Sequence, residues 1–584
     1  MNIKKLYELS EKADKILQSD KNSDALKTIT DELKPIINDF KKGSIGIAQI
    51  NTIPGNIEHN SKKIMKYISY ASKTGLDTII FPKYAISGYP LNDASERFPV
   101  IKTEANKWLN EILKLSKDIN VIILEDSSSK TLNINGLKYV VADNIEELKS
   151  VEADIYIYCT PTTSYKTVDF FEQISSFAFD MKKPLVYVNQ VGAVDNISFD
   201  GGSCLYDGNG KLLARAKSYE EHFFIINPLK GTGNIYPTPN EKYYLNRKKA
   251  FSFDYDDEME RIYCITIQGI KDYFGKNGIK HACLGLSGGL DSTVCAVLLT
   301  DALGKENVFG ISMPSKITTN QSKTDAEKLA NNLGIHYIEM PIKEIVSTTN
   351  NVFNKMFSKI EKQWNFRYKK SFTNDNIQAR TRAVYLWGIA NEFESCIPIA
   401  TSDKSEAYMG YATINGDMSG GYAPIADITK TKLFALARWL NKNREAKDVI
   451  PESVLLKRPG AELAIDKKTG EPLKAEDALM PYEFLDEVIW RIENKHESYQ
   501  DMLSSEFIYE KRNKISTEQK KEWLEKFFKR MNGALYKGSI MPPYIVTETP
   551  TINKYCYNQP ISSKINHKGT DIAEIIRKLK DTLI

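Results

Sequence analysis

An excess of charge of either sign is largely missing from this chain: 79 Lys and Arg stand against 75 Asp and Glu, a net +4 over 584 residues with no long single-sign block. That balance does not call for nucleic acid as a partner. Histidine is scarce, and its six residues form no cluster. The seven cysteines are odd in number and contain no CxxC pair, which argues against a disulfide framework or a zinc ribbon and fits a reducing cytoplasm. A continuous apolar run is absent from the start, MNIKKLYELSEKADKILQSDKNSDALKTI, so the segment reads as neither signal peptide nor membrane span. It alternates charged and apolar residues, and an amphipathic helical extension is expected over residues 1–42. Internal repeats and low-complexity tracts are also lacking.

What is present is an ordinary globular composition, 42% apolar and 26% charged, in a chain too long for one hydrophobic core. Two domains or more are expected. From Gly43 the pattern alternates strand and helix: SIGIAQI, then NSKKIMKYISYASKTG, then DTIIFP. Short apolar runs at Val121 to Leu124, Tyr139 to Val141, Ile155 to Tyr158 and Leu185 to Asn189 continue the sheet, which ends near Phe223 to Pro228. The first domain is therefore placed at residues 43–229. A Gly, Pro and Asn cluster without apolar period makes residues 230–254 a connector, and a second domain fills 255–584. There a helix leads into the strand HACLGL and on to SGGLDST, Ser287 to Thr293, a glycine loop opening another helix.

Small residues, free backbone N–H groups and the positive end of a helix meet at that loop, which is the arrangement that binds phosphate. It is neither a Walker A loop, because the Gly-Lys-Ser/Thr ending is missing, nor GxGxxG. Asp291 inside an anion loop makes chemical sense when a divalent cation bridges it to phosphate.

SGGLDS resembles the PP-loop of the ATP pyrophosphatases, which split ATP between the α and β phosphates. The runs that follow are similar to the landmarks of the NAD synthetases, in their order: MPSKITTNQSKTDAEKLANNLGI from Met313, NIQARTRAVYLWGIAN from Asn376, TSDKSEAYMGYATINGDMSGGYAPIADITKTKL from Thr401, RPGAEL from Arg458, EDALMPYEFLD from Glu476 and YKGS from Tyr536. In the first domain IGIAQINTIPGNIEHNSKKI, FPKYAISGYPLND and VYVNQVGAVDNISFDGGSCLYDGNGKLLARA resemble the nitrilase-like glutaminase domain of the glutamine-dependent members. The resemblance implies an α/β chain: a nitrilase-like α-β-β-α sandwich followed by a Rossmann-like PP-loop ATP pyrophosphatase domain with a parallel sheet.

It also implies roles. Ser287, Gly288, Gly289, Asp291 and Ser292 would hold the β and γ phosphates of ATP, and Asp291 with Glu406 would ligate Mg2+. Thr401 and Lys430 would contact ATP. Asn376, Arg380 or Arg382, Asp417 and Lys537 would contact the dinucleotide, with Lys430 and Lys537 offsetting charge on the α-phosphate. Asp403, Gly460 and Gly538 depart from the residues usual in the family. The reaction implied is ATP-dependent amidation of deamido-NAD to NAD by a cytoplasmic homo-oligomer; nicotinate mononucleotide as acceptor, or a non-catalytic regulatory subunit, are the rival readings.

The glutaminase set of the family is a Glu, a Lys and a nucleophilic Cys. The Glu position holds Lys83, the Cys position holds Ala142, and the segment that carries the Lys is missing between VIILED and LKYVVAD. Cys159 lies one strand beyond the nucleophile position and reads as a small buried residue. The expectation is a degenerate glutaminase domain and a ligase that takes ammonia from solution or from a separate glutaminase.

Overall fold

The computed structural model describes residues 43–164, 167–236, 256–364, 373–460 and 475–548. The expected N-terminal helix, Cys556, the end of RPGAEL and most of the expected connector lie outside them. The chain divides into two compact units, the first of residues up to 194 and 199–241, the second of residues 195–198 and from 242 on.

The first unit is built on two sheets. Strands β1 (Ile45–Gln49), β2 (Thr78–Ile80), β3 (Asn120–Ile122) and β12 (His222–Ile226) form one, in the order β12-β1-β2-β3. The other has the order β11-β10-β7-β6-β5-β4, from β4 (Lys130–Ile134), β5 (Leu137–Ala142), β6 (Ile155–Cys159), β7 (Leu185–Val188), β10 (Cys204–Tyr206) and β11 (Leu212–Arg215). Strands β8 (Val191–Val194) and β9 (Ile197–Asp200) pair separately, and the turn between them, with the first two residues of β9, belongs to the second unit.

Both faces of each sheet are covered, which is why these strands read as continuous apolar runs. Along β7, Val186 and Val188 point into the core between the sheets, while Leu185 and Tyr187 point to the outer layer. Ile45, Ile47, Ile80, Val141 and Ile157 fill the inner core. Helices α1 (Ile57–Lys73) and α2 (Pro99–Leu115) cover the first sheet through Ile64, Ile68 and Ile112, and α3 (Thr167–Met181) covers the second through Ile174, Phe177 and Ala178. The layers are α-β-β-α. Between β4 and β5 the chain turns on Asn135 and Gly136 alone, at φ 53 and 80, the left-handed pair that a two-residue hairpin requires.

The second unit holds a four-stranded sheet in the order β15-β14-β13-β16, parallel throughout, from β13 (His281–Gly285), β14 (Val308–Ser312), β15 (His336–Glu339) and β16 (Cys396–Pro398). Strand order reverses between β13 and β16, and the crevice beyond the carboxyl ends of such a pair is where open α/β sheets bind ligands. On one face pack α4 (Asp256–Lys276), α5 (Leu290–Leu303) and α6 (Asn320–Leu333). Helix α5 is apolar on every side, with Val294 to Leu299 all buried. Helix α7 (Thr373–Glu392) sits on the other face through Leu386 and Ala390. Beyond the sheet, α8 (Lys404–Met409), α9 (Lys430–Asn443), α10 (Tyr482–Lys495) and α11 (Thr517–Gly538) follow; Met409, Phe484 and Phe527 share a separate core. Among the described residues no helix is long and apolar enough to cross a membrane.

Candidate active site

The glycine loop leaves the carboxyl end of β13 and enters α5 with Gly289 as N-cap. Gly288 has φ +69, and a Cβ there would stand 2.1 Å from the Ser322 carbonyl oxygen, so only glycine fits. Ser287 and Ser292 close the loop from within: their hydroxyls are 3.1 Å apart, and Gly289 N–H donates to Ser287 Oγ at 3.2 Å. The first-turn N–H groups of α5 are thereby presented to the cleft.

Beside the loop stands a cluster of charge. Lys430, first residue of α9, is wholly buried; its Nζ lies 2.6 Å from Asp291 Oδ1, 2.8 Å from Asp403 Oδ2 and 3.2 Å from Glu406 Oε1. Burial opposes the charge on Lys430, but the three carboxylates outweigh it and hold the ammonium well above the ordinary lysine range. Asp403 serves two partners at once, capping α8 by accepting Glu406 N–H at 2.8 Å while facing Lys430. Where Asn would cap equally well, Asp adds a charge. Lys430 itself is fixed by its backbone: its N–H donates to Ser405 Oγ at 2.9 Å, and Ser405 donates to Asp486, which also accepts Thr431 N–H at 2.8 Å.

Three carboxylates around one ammonium leave negative charge uncompensated. Burial pushes Asp403 up to about 6 and Glu406 well above the usual carboxylate range, with Lys430 opposing in both cases. A further cation would hold both ionised. Asp403 is fully buried, whereas Asp291 and Glu406 keep 28% and 16% of their side chains exposed, so those two alone can offer oxygen to a cation in the cleft. Among the described residues no group of three or more His, Cys, Asp or Glu is placed to hold a metal ion. Two hard carboxylates fit Mg2+, which keeps water and takes phosphate oxygens for the rest of its shell.

Of the residues singled out in the sequence, Ser287, Gly289, Asp291, Arg382, Thr401, Glu406 and Asp417 line one cleft of about 230 Å³. Lys430 stands behind its carboxylates. Gly288 and Ser292 shape the loop without lining the cleft. Asn376 and Asp417 fold the loop that follows α8: Asn376 Oδ1 accepts from Thr413 Oγ1 at 3.0 Å and Asp417 Oδ1 from Thr413 N–H at 2.7 Å. Arg380 donates to Ile414 O at 3.2 Å, and Lys537 to the Gly410 and Ala412 carbonyls at 2.8 and 2.6 Å. These two therefore brace the same loop from outside the cleft. Lys457 is a lining residue that the sequence reading passed over, with its Nζ 2.7 Å from Ser322 Oγ. Its one signal was a paired cation, Lys457-Arg458, set directly before Pro459-Gly460.

In the first unit Lys83 follows β2 and Ala142 ends β5, both buried. Lys83 forms an ion pair with Asp143 and donates to Ser127 Oγ at 3.0 Å. Glu125, a neighbouring acid, accepts the Ile86 and Ser87 N–H groups at 2.7 and 3.1 Å. Cys159 is 1% exposed, 3.4 Å from the Phe81 carbonyl, and burial pushes its thiol up to about 12. A thiol in that state is not a nucleophile at neutral pH.

The NAD synthase family model matches residues 262–531. The glutamine-dependent NAD(+) synthetase of Thermotoga maritima is 30% identical over 527 residues, which are 77% of this chain and 88% of the relative. That of Synechocystis sp. is 30% identical over 536 residues, 80% of this chain and 91% of the relative. Among solved structures, the glutamine-dependent NAD(+) synthetase of Cytophaga hutchinsonii superposes with a TM-score of 0.69 at 18% identity, covering 92% of this chain and 99% of the other. The Acinetobacter baumannii enzyme, solved with ADP, gives a TM-score of 0.60 at 23% identity, covering 88% and 99%. The sandwich, the glycine loop at the switch point and the carboxylate-rich cleft thus occur in one chain with relatives matched along most of their length, and the chain belongs to the NAD synthetase family, in which a nitrilase-like domain precedes a PP-loop ligase domain.

Proposed function

We propose that this chain converts deamido-NAD to NAD with ATP and ammonia, releasing AMP and pyrophosphate, and that its own first domain does not supply the ammonia. The observation that carries the ligase reading is the pairing of Asp291 with Glu406 at the mouth of the phosphate loop, with Lys430 behind both. Nicotinate carboxylate is a poor electrophile. Attack of its oxygen on the α-phosphorus expels pyrophosphate and makes AMP the leaving group, after which ammonia attacks the acyl carbon.

Ser287, Gly288, Gly289 and Ser292 form the loop that receives the β and γ phosphates, and Thr401 lines the cleft for ATP. Mg2+, held by Asp291 and Glu406, would supply charge stabilisation of the departing pyrophosphate. Lys430 keeps those carboxylates together and adds positive potential at the α-phosphate end. Arg382 and Asp417 face the dinucleotide, while Asn376, Arg380 and Lys537 hold the loop of residues 410–417 against it.

The nitrogen source follows from Lys83, a cation where a general base is needed, and Ala142, which has no nucleophile. The deciding assay is NAD formation by the purified chain from deamido-NAD, ATP and Mg2+, with ammonium or glutamine. Turnover with ammonium alone is expected. Turnover with glutamine as the sole nitrogen source refutes the ammonia reading, and amidation of nicotinate mononucleotide in preference to deamido-NAD refutes the acceptor.

A further inference from the structure

Residues 541–548 form neither helix nor strand, yet Tyr544, Ile545, Val546 and Thr547 are at most 4% exposed. The backbone of a buried extended run must find partners. Here Pro543 O accepts from Ala423 N–H at 2.9 Å. Thr547 N–H and Glu548 N–H both donate to Asp427 Oδ2, at 2.7 and 3.1 Å, and Thr547 O accepts from Arg261 Nη1 at 2.7 Å. The side chains add more: Thr547 Oγ1 is 3.2 Å from the Asp427 carbonyl, and Glu548 pairs with Lys432, whose Nζ also lies 3.0 Å from Glu258 Oε1.

Both receiving groups lead to the cleft. Asp427 Oδ1 is 3.3 Å from Nζ of Lys404, the residue that opens α8 two positions before Glu406. Lys432 lies in the first turn of α9, two positions after Lys430. Asp427, Lys404, Lys432 and Lys430 are all nine-tenths buried or more, in a medium where charge-assisted bonds are strong and displaced partners are costly. Val546 N–H also donates to the Asn196 carbonyl at 3.0 Å, and beyond these backbone anchors the run is tied through Asp427 and Lys432 to the starts of the two helices that present Glu406 and Lys430.

We infer that Thr547 and Glu548 are positioning residues for the ligase reaction, acting through Asp427 and Lys432 to set where Glu406 and Lys430 stand relative to Asp291. The inference rests on the ligase reading above. Misplacement of reacting groups by about 1 Å costs up to roughly a hundredfold in rate even when its cause lies outside the site.

The test uses full-length Glu548→Gln and Thr547→Val, with kcat and KM for ATP and deamido-NAD, thermal melting, and amide hydrogen exchange. In Glu548→Gln, kcat is expected to fall roughly ten- to a hundredfold. Both KM values should stay within about twofold, the pattern of an interaction used in the transition state. Exchange should quicken at residues 404–409 and 430–433 and stay at the wild-type rate in α5. Thr547→Val should show a smaller loss of the same kind, and Glu548→Asp should recover part of kcat. Unchanged kcat in both variants overturns the inference. So does a loss that tracks the melting temperature, with exchange raised throughout the ligase unit. A wild-type chain that forms no NAD refutes the ligase reading instead, and the local exchange pattern then still decides whether these residues fix the two helix starts.

Discussion

Two buried lysines invite comparison, one in each unit. Lys430 faces three carboxylates, and two of them open onto a cleft; Lys83 faces one, Asp143, with the neighbouring Glu125 occupied by backbone N–H groups. In the first case charge is left over and pointed at solvent. In the second it cancels. Ionisable residues gathered at the end of a sheet do not by themselves make a site, because a balanced pair is satisfied by the protein and has nothing to offer a ligand. In the cluster around Lys430, by contrast, Asp291 and Glu406 keep part of their side chains open to the cleft.

The largest effect should come from removing part of that surplus. Glu406→Gln keeps shape and hydrogen bonding but loses a cleft-facing charge, and kcat with ammonium should fall by roughly 10²- to 10³-fold. A steady-state assay across a range of Mg2+ concentrations reads it, and the concentration needed for half-maximal rate should rise as well. Full activity at ordinary Mg2+ would mean that the surplus is not what the cleft uses.

A second test breaks the balanced pair. Lys83→Met leaves Asp143 and Ser127 without their cation, and the cost, discounted for the 17% exposure of Asp143, is about 2–3 kcal/mol. Denaturant titration followed by the signal of the first unit measures it, while ammonia-dependent turnover should be unaffected. Loss of turnover with no loss of stability would make Lys83 a functional residue and undo the contrast.

How much of this was legible in the sequence follows the same division. The apolar runs marked most of the strands, since a strand buried on both faces has no polar alternation to confuse it with a loop, and the order of glycine loop and helix matches the turn from β13 into α5. Strand β4 was not marked, because KTLNI alternates on a half-exposed edge; Asn135-Gly136 was the available sign of its hairpin. That hairpin occupies the stretch in which the family resemblance implies a lysine-bearing segment. Asp291 and Glu406 were found from motif position. The third carboxylate was noticed only as a departure at Asp403, and its contact with Lys430 depends on α8 and α9 starting side by side, which no local pattern encodes. Lys457 and the run of residues 541–548 were invisible for the same reason: their partners are 135 and about 120 residues away.

A third measurement asks whether balance inside the ligase unit behaves like balance in the first. Glu493 is paired with Lys404 at 2.8 Å, and burial, only partly offset by that lysine, pushes its carboxyl up to about 7. A carboxyl whose folded value lies above its unfolded one binds its proton more tightly when folded. Its contribution to stability is therefore complete below about pH 4.5 and is lost as pH rises through about 7, an effect on the order of 3 kcal/mol. Urea midpoints of the ligase unit between pH 5 and 8 should show the decline, and Glu493→Gln should flatten it. An equally steep decline in the variant would assign the titration to another group.

The smallest expected effect is none, and it closes the comparison at Cys159. The thiol is fully enclosed, bonded to the Phe81 carbonyl and raised to about 12, so fewer than one molecule in a thousand would carry the thiolate at neutral pH by that value. Among the described residues its Sγ is hydrogen-bonded to that carbonyl and to no carboxylate. Glu125 is spent on two backbone N–H groups, and Lys83 carries a proton rather than taking one. Cys159→Ala should therefore leave turnover with ammonium within about twofold of wild type and leave glutamine as inert as before. If the wild-type chain instead hydrolysed glutamine and the variant did not, the first unit would have rebuilt a nucleophile one strand away from the usual place, and the balanced pair beside it would have to be reread as part of a working site.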